Sequence, residues 1–349
     1  MNQITEKPHY KKIRSKYMLE KIFSFLSQKK TLYIIKYNKS VQKLLNMKLK
    51  NYVDFSEQIE IVLKFKNELR SNKNYFINII NKDERPFFHF FYDDRKKKIN
   101  TYLSRYEKIT EIKIVIDNNV KSFNKLFFDC HCIESIYFKK FYRNNIKDMS
   151  YMFAFCLLKE LYLSKFNTNN VINMSNMFFG CSSLKELNLS NFNTINVTDM
   201  EGLFGGCFSL KYLNLSKFNT TNVSNMSNMF YQCFSLEELN LSIFNTINVI
   251  NIEKMFYQCT KLVKLDISNF NLKNVECMSD MFSLCKCLEE LDLTNFKIID
   301  SKFVEIMFEG CSFLKILKLP KEINVNNING LSYQNKLKLN QFLINIRNK

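Results

Sequence analysis

Asn176-Met177-Phe178-Phe179-Gly180-Cys181-Ser182-Ser183-Leu184-Lys185-Glu186-Leu187-Asn188-Leu189-Ser190-Asn191-Phe192-Asn193-Thr194-Ile195-Asn196-Val197-Thr198-Asp199-Met200 holds one full period of a pattern that repeats through most of the chain. Met-Phe recurs at Met152-Phe153, Met229-Phe230, Met255-Phe256, Met281-Phe282 and Met307-Phe308. A Leu-x-x-Leu-x-Leu core recurs at Leu158-Leu161-Leu163, Leu210-Leu213-Leu215, Leu236-Leu239-Leu241 and Leu288-Leu291-Leu293. Asn-Val closes the unit at Asn170-Val171, Asn196-Val197, Asn222-Val223, Asn248-Val249 and Asn274-Val275. Cys130, Cys156, Cys181, Cys207, Cys233, Cys259, Cys285 and Cys311 keep the beat, at intervals of 26, 25, 26, 26, 26, 26 and 26 residues. Thiols that pair or hold metal come in clusters, whereas a fixed long period marks one structural position repeated once per unit.

The alternating Leu-x-Leu puts two leucines on one face of a short strand and the residue between them on the other. One such strand cannot bury its apolar face alone, so neighbouring units must stack and share a core. The expected fold is a repeat solenoid of the leucine-rich kind, one short parallel strand per coil. At the strand spacing of about 4.8 Å, eight coils extend roughly 40 Å. Asn at the Asn-Val position is expected to turn inward and bond the backbone of the adjacent coil, because an exposed turn would accept Asp or Gly as readily; Asp300 alone breaks that column. Gly180, Gly206 and Gly310 precede the periodic cysteine, but Asp129, Phe155, Gln232, Gln258 and Leu284 fill the same slot, so it is not expected to need a glycine-only backbone. Pro8, Pro86 and Pro320 all avoid the repeats proper.

The unit resembles the leucine-rich repeat of the BspA-type surface proteins, Met-Phe-x-x-Cys-x-x-Leu-x-x-Leu-(Asp/Asn)-Leu-Ser-x-Phe-(Asp/Asn)-Thr-x-x-Val-x-x-Met, over about residues 117–320. The resemblance implies a leucine-rich solenoid used for binding, often in adhesion to host or matrix proteins. Residues 1–30 carry Lys7, Lys11, Lys12, Arg14, Lys16, Lys21, Lys29 and Lys30 with no apolar signal core. No run of about 18 apolar residues is present to span a membrane. A cytoplasmic location is therefore expected, with the cell surface as the family-based alternative.

The net charge of +18 is concentrated at one end: residues 1–105 hold 24 Lys+Arg against 10 Asp+Glu, and the rest 27 against 23. Lysine, asparagine and isoleucine all follow A/T-rich codons, and no reading motif accompanies the charge, so nucleic acid is not the expected partner. Arg95-Lys96-Lys97-Lys98, between apolar Phe87–Tyr92 and Ile99–Leu103, reads as a solvated hairpin tip. The chain divides by pattern into a basic helical module (1–50), a small α/β or β cap (51–116), the solenoid (117–320) and a C-terminal cap or tail (321–349). Met18, Leu19, Ile22, Phe23 and Leu26, then Leu32, Ile35, Val41, Leu44 and Leu45, fall at helix spacing. The stretch Met18–Leu26 with Leu32–Lys39 is similar to the F-box, a helical module that docks the linker subunit of cullin-type ubiquitin ligases. That resemblance implies a substrate receptor; the alternative is a plain helical cap.

No glycine-rich phosphate loop, metal-ligand spacing or nucleophile elbow occurs, and His9, His89 and His131 are the only histidines. Cys130-His131-Cys132 and Cys285-Lys286-Cys287 occupy equivalent positions six coils apart and cannot share one four-ligand metal site. The eight periodic thiols read as small apolar filler in a reducing compartment, with Cys132, Cys277 and Cys287 outside the column. No enzyme, cofactor or metal is expected. The candidate surface is the outward stripe beside the strand leucines: Glu160, Tyr162, Glu186, Asn188, Tyr212, Asn214, Glu238, Asn240, Asp266, Glu290 and Asp292. Acidic and amide-rich, it suits a basic or polar partner protein, and equally a soluble face copied from unit to unit.

Overall fold

The computed structural model describes residues 34, 38–44, 57–69, 71–92, 95–96, 100–294, 296 and 307–318. Two compact units divide the chain, 1–58 and 59–349. In the first, helix α1 (Lys39–Leu44) opens on Asn38, whose Oδ1 accepts from the backbone N–H groups of Ser40 and Val41 at 3.1 Å each. That is the N-cap arrangement that satisfies amides lacking a preceding turn. The F-box-like stretch otherwise lies outside the described residues.

The second unit is mostly β. A six-stranded sheet runs in the order β4-β3-β6-β1-β7-β8, with β1 at Ile59–Phe65, β3 at Phe88–Tyr92, β4 at Arg95–Lys96, β6 at Glu111–Ile116, β7 at Ile133–Lys140 and β8 at Glu160–Tyr162. Two short strands, β2 (Asn74–Tyr75) and β5 (Tyr102–Leu103), pair beside it. Pairing is antiparallel through β7 and turns parallel at β7–β8, where Ile136 faces Leu161. The first repeat is therefore the hinge between two kinds of sheet. β7 is eight residues long because it pairs along β1, while β8 spans three. Arg95 and Lys96 are not a hairpin tip: they form the return strand, opposite Tyr92 and Phe91.

From Ser122 onward the units bridge in parallel. Ser122, Asp148, Asn173, Asp199, Asn225, Asn251 and Cys277 are linked successively. Further along each unit, strands pair at β9 (Glu238–Asn240) with β10 (Lys264–Asp266) and at β11 (Glu290–Asp292) with β12 (Ile316–Lys318). The strand pairing is interrupted: among the described residues no bridge joins 160–162 to 186–188, 186–188 to 212–214, or β10 to β11.

The Met-Phe-x-x-Cys turn is the better-bonded side. Met174, Asn176, Phe178 and Gly180 donate to the carbonyls of Asp199, Glu201, Leu203 and Gly205 at 3.1, 2.6, 3.1 and 2.7 Å. The intervening amides of Met177, Phe179 and Cys181 fold back on Met174, Asn176 and Phe178 at 3.1–3.2 Å. No backbone group in the turn is left unpaired, as burial demands. The alternation requires left-handed backbone. The slot before the cysteine has φ of +56 to +71° in all eight units, at Asp129, Phe155, Gly180, Gly206, Gln232, Gln258, Leu284 and Gly310. The conformation favours glycine, yet five units hold it with a side chain, so the slot is left-handed without being restricted to glycine. Gly206 has a second reason, since a Cβ there would lie 3.1 Å from the backbone nitrogen of Gly180.

The core is a set of ladders. Phe127, Phe153, Phe178, Phe204, Phe230, Phe256, Phe282 and Phe308 stack at 5.5–5.8 Å between ring centroids, 1–17° from parallel. The periodic cysteines are buried and do more than fill space. From Cys156 onward each thiol donates to the carbonyl of the phenylalanine in the preceding unit, as Cys207 does to Phe178 at 3.3 Å and Cys233 to Phe204 at 3.1 Å, while Cys130 donates to Phe128 in its own unit.

The asparagine ladder exists but runs outside. Asn196, Asn222, Asn248 and Asn274 donate to the carbonyls of Asn169, Ile195, Thr221 and Ile247 at 2.7–2.8 Å, yet all four are exposed. The buried polar column is threonine. Thr168, Thr194, Thr220 and Thr246 are at most 1% exposed. Each hydroxyl donates to the carbonyl and accepts from the N–H of one residue in the next unit, as Thr220 does with Asn245 at 3.0 and 2.8 Å. Asparagine is longer and carries two donors and an acceptor, more than this tight inner corner can satisfy; a threonine hydroxyl fits with its methyl against the core.

Candidate functional site

The strand stripe sits where alternation puts it. β8, β9 and β11 each bury the central leucine and expose both neighbours. Ten of the stripe residues are exposed and Asp266 is half-buried. The repeat period makes two columns of them, one through Glu160, Glu186, Tyr212, Glu238 and Glu290, the other through Tyr162, Asn188, Asn214, Asn240, Asp266 and Asp292.

Hydrogen bonding separates the two columns by role. Oδ1 of Asn188, Asn214, Asn240, Asp266 and Asp292 accepts from the backbone N–H two residues on, at Ser190, Ser216, Ser242, Ser268 and Thr294, over 2.9–3.1 Å. This is the turn-forming use of Asn and Asp, and it commits those side chains to ending the strand. Two further columns do the same at the other bends: Asn193, Asn219, Asn245 and Asn271, and Asp148, Asn173, Asp199, Asn225 and Asn251. Cys277 stands in the last of these columns, which is why it falls outside the thiol ladder; unlike the rest of that column it is exposed.

Lysines of neighbouring units lie along the stripe. Lys264 pairs with Glu238 at 2.7 Å and Lys318 with Asp292 at 2.9 Å. Lys159 pairs with Glu134 at 2.6 Å, Lys211 with Glu237 at 3.8 Å, and Lys315 with Glu289 at 3.0 Å. All of these pairs are solvated and worth little each to stability, and Glu238 and Asp292 are the two stripe acids they neutralise. Bonding to Glu238 holds the Lys264 ammonium above its ordinary range, and Asp292 does the same for Lys318. Burial works against ionisation at Asp292, but hydrogen bonds from Thr294 and Lys318 outweigh it and hold that carboxyl below its ordinary range.

The tyrosines are tethered. Tyr162 donates to Glu160 at 2.9 Å, which pushes its hydroxyl up to about 12, and Tyr212 donates to Glu237 at 2.9 Å, which also raises it. Around the column break at β10–β11, Glu238, Asn240, Lys264, Asp266, Glu289 and Glu290 rim a shallow open depression. Among the described residues no group of three or more His, Cys, Asp or Glu side chains is placed to hold a metal ion. Cys130 and Cys132 are buried, and the intervening His131 instead pairs with Asp129 at 3.0 Å. Among the described residues no helix is long and apolar enough to cross a membrane.

A family profile described as "Mycoplasma protein of unknown function, DUF285" matches the chain three times, at residues 121–238, 202–318 and 235–341. The matches overlap and together run across the bridged units. No curated protein and no solved structure matches the chain.

Proposed function

The chain belongs to the family described as Mycoplasma protein of unknown function, DUF285, and from that premise we propose that it is a non-enzymatic scaffold that binds another protein through the strand face. The bridged units are read as coils of a leucine-rich-repeat solenoid like that of the BspA-type proteins, located in the cytoplasm. The observation that carries the reading is the two-column strand face. One column is consumed in ending the strands, while the other projects Glu160, Glu186, Tyr212, Glu238 and Glu290 into solvent, none of their side chains bonded to the backbone among the described residues. A repeated, rigid and outward surface of this kind is the usual working face of a repeat protein.

Glu186→Lys, Glu238→Lys and Glu290→Lys together test it. The triple variant is expected to keep its circular dichroism spectrum and lose at least tenfold in recovery of the partner retained by the wild-type chain. Unchanged recovery with an intact fold removes the strand face from the reading.

A further inference from the structure

Tyr137 and Tyr162 lie in adjacent units with ring centroids 4.3 Å apart and planes 11° from parallel. The Nζ of Lys64, on the neighbouring strand β1, stands 5.2 Å from the Tyr137 centroid. One face of Tyr162 is thus covered by Tyr137, and the opposite face is turned to the next unit, where the 188 position holds a small asparagine instead of a third ring. Tyr162 is 44% exposed, and its bond to Glu160 draws the hydroxyl end toward the Glu160–Glu186–Tyr212 column. On the far side of Glu186, Tyr212 is 62% exposed and leans onward to Glu237 in the following unit. Between the two rings lies the stretch 186–188, which no β-bridge ties to either side among the described residues. The Glu186 carboxylate there is exposed and has no hydrogen bond or ion pair among the described residues. In the same column Glu160 accepts from Tyr162 at 2.9 Å and Glu238 pairs with Lys264 at 2.7 Å.

We propose that Tyr162, Glu186 and Tyr212 form a seat for a cationic side chain of the partner, an arginine guanidinium above all. This rests on the strand-face reading and names the group that face takes. Tyr212 stands opposite Glu186 in the next unit and Tyr162 diagonal to it in the unit before, one strand spacing of about 5 Å away on either side, so a cation on the carboxylate is within reach of either ring. A guanidinium stacks on tyrosine faces and offers a carboxylate two parallel N–H donors, which an ammonium cannot match. The stack already uses this chemistry, with Lys64 and Lys139 on Tyr137.

The test is an NMR titration of the full chain, its tyrosine rings labelled, with the peptide acetyl-Gly-Arg-Gly-amide and its neutral citrulline isostere. Saturable shifts at Tyr162 and Tyr212 are expected with arginine only. Glu186→Gln is expected to weaken binding about tenfold, the order of a lost charge-assisted pair. Equal binding of the citrulline peptide, absence of saturable shifts, or indifference to Glu186→Gln overturns the seat. The double variant Glu238→Lys, Glu290→Lys, which leaves all three residues in place, separates the two readings. If it loses the partner while arginine leaves Tyr162 unshifted, the seat falls and the scaffold stands; if it has no effect either, both fall.

Discussion

Thr220 shows how much one small side chain does in this fold. Its hydroxyl is fully buried and closes a two-way bond with Asn245, so the next unit's N–H and C=O are both satisfied by one atom. Thr220→Val keeps the volume and leaves both backbone groups unpaired. A loss of about 1–3 kcal/mol is expected, read as a lower urea midpoint with unchanged slope. Thr220→Ser, which keeps the hydroxyl, is expected to lose less; equal losses would mean that the methyl, not the hydroxyl, is what matters. The left-handed slot gives a second prediction at this scale. Gly206→Ala imposes a Cβ at φ +69° against the Gly180 backbone, at a cost of about 1–2 kcal/mol from the conformation alone, whereas Gln232→Gly in the equivalent slot is expected to be neutral or stabilising. A thermal melt of the two variants side by side checks the contrast.

At the scale of an element, the thiol column behaves as one titrating device. Burial pushes the thiols up: Cys156, Cys207 and Cys311 to about 12, and Cys181, Cys233, Cys259 and Cys285 also upward. A folded pKa above the unfolded value means that the folded column keeps its protons where the unfolded chain has lost them. Its contribution is therefore complete below about pH 8.5, the ordinary thiol value, and is lost as pH climbs toward 12. Stability is expected to fall steeply between about pH 9 and 12, more steeply than in a Cys207→Ala, Cys233→Ala variant. Urea unfolding across that range, with lysines and tyrosines common to both proteins, measures the difference; identical slopes would remove the thiols as the cause. In the native state at neutral pH an alkylating reagent is expected to reach exposed Cys277 and spare the ladder.

For the molecule as a whole, the 26-residue beat is the unit of insertion and deletion. Removing residues 199–224 joins Thr198 to Asn225 and brings Asn225 to the bridging position that Asp199 held, so every ladder can re-form one unit shorter. The shortened chain is expected to fold with the same spectrum per residue and a slightly lower melting temperature, because repeat stability is close to a sum over units and their neighbours. Removing 13 residues instead displaces every column and is expected to abolish cooperative unfolding. If both deletions melt alike, the columns are not what holds the units together.

Much of this was open to a reader of the chain. Leu-x-Leu spacing places Leu161, Leu239 and Leu291 inward and their neighbours outward whatever lies around them, because alternation is a property of the strand itself. The cysteine period marks equivalent positions in the same way. What a thiol or an amide does at its position is a different matter. Asn196 was expected inside and lies outside, while Thr194, two residues earlier and repeated just as faithfully, is the buried partner. The stripe looked acidic because its carboxylates fall within the strands, but lysines from adjacent units, some outside the strand residues, close over them. Composition and period thus settle which residues share a column and which face the core. Only the stacked structure decides who bonds to whom, because each of those bonds crosses to a residue about 25 positions away, set by how the units sit on one another.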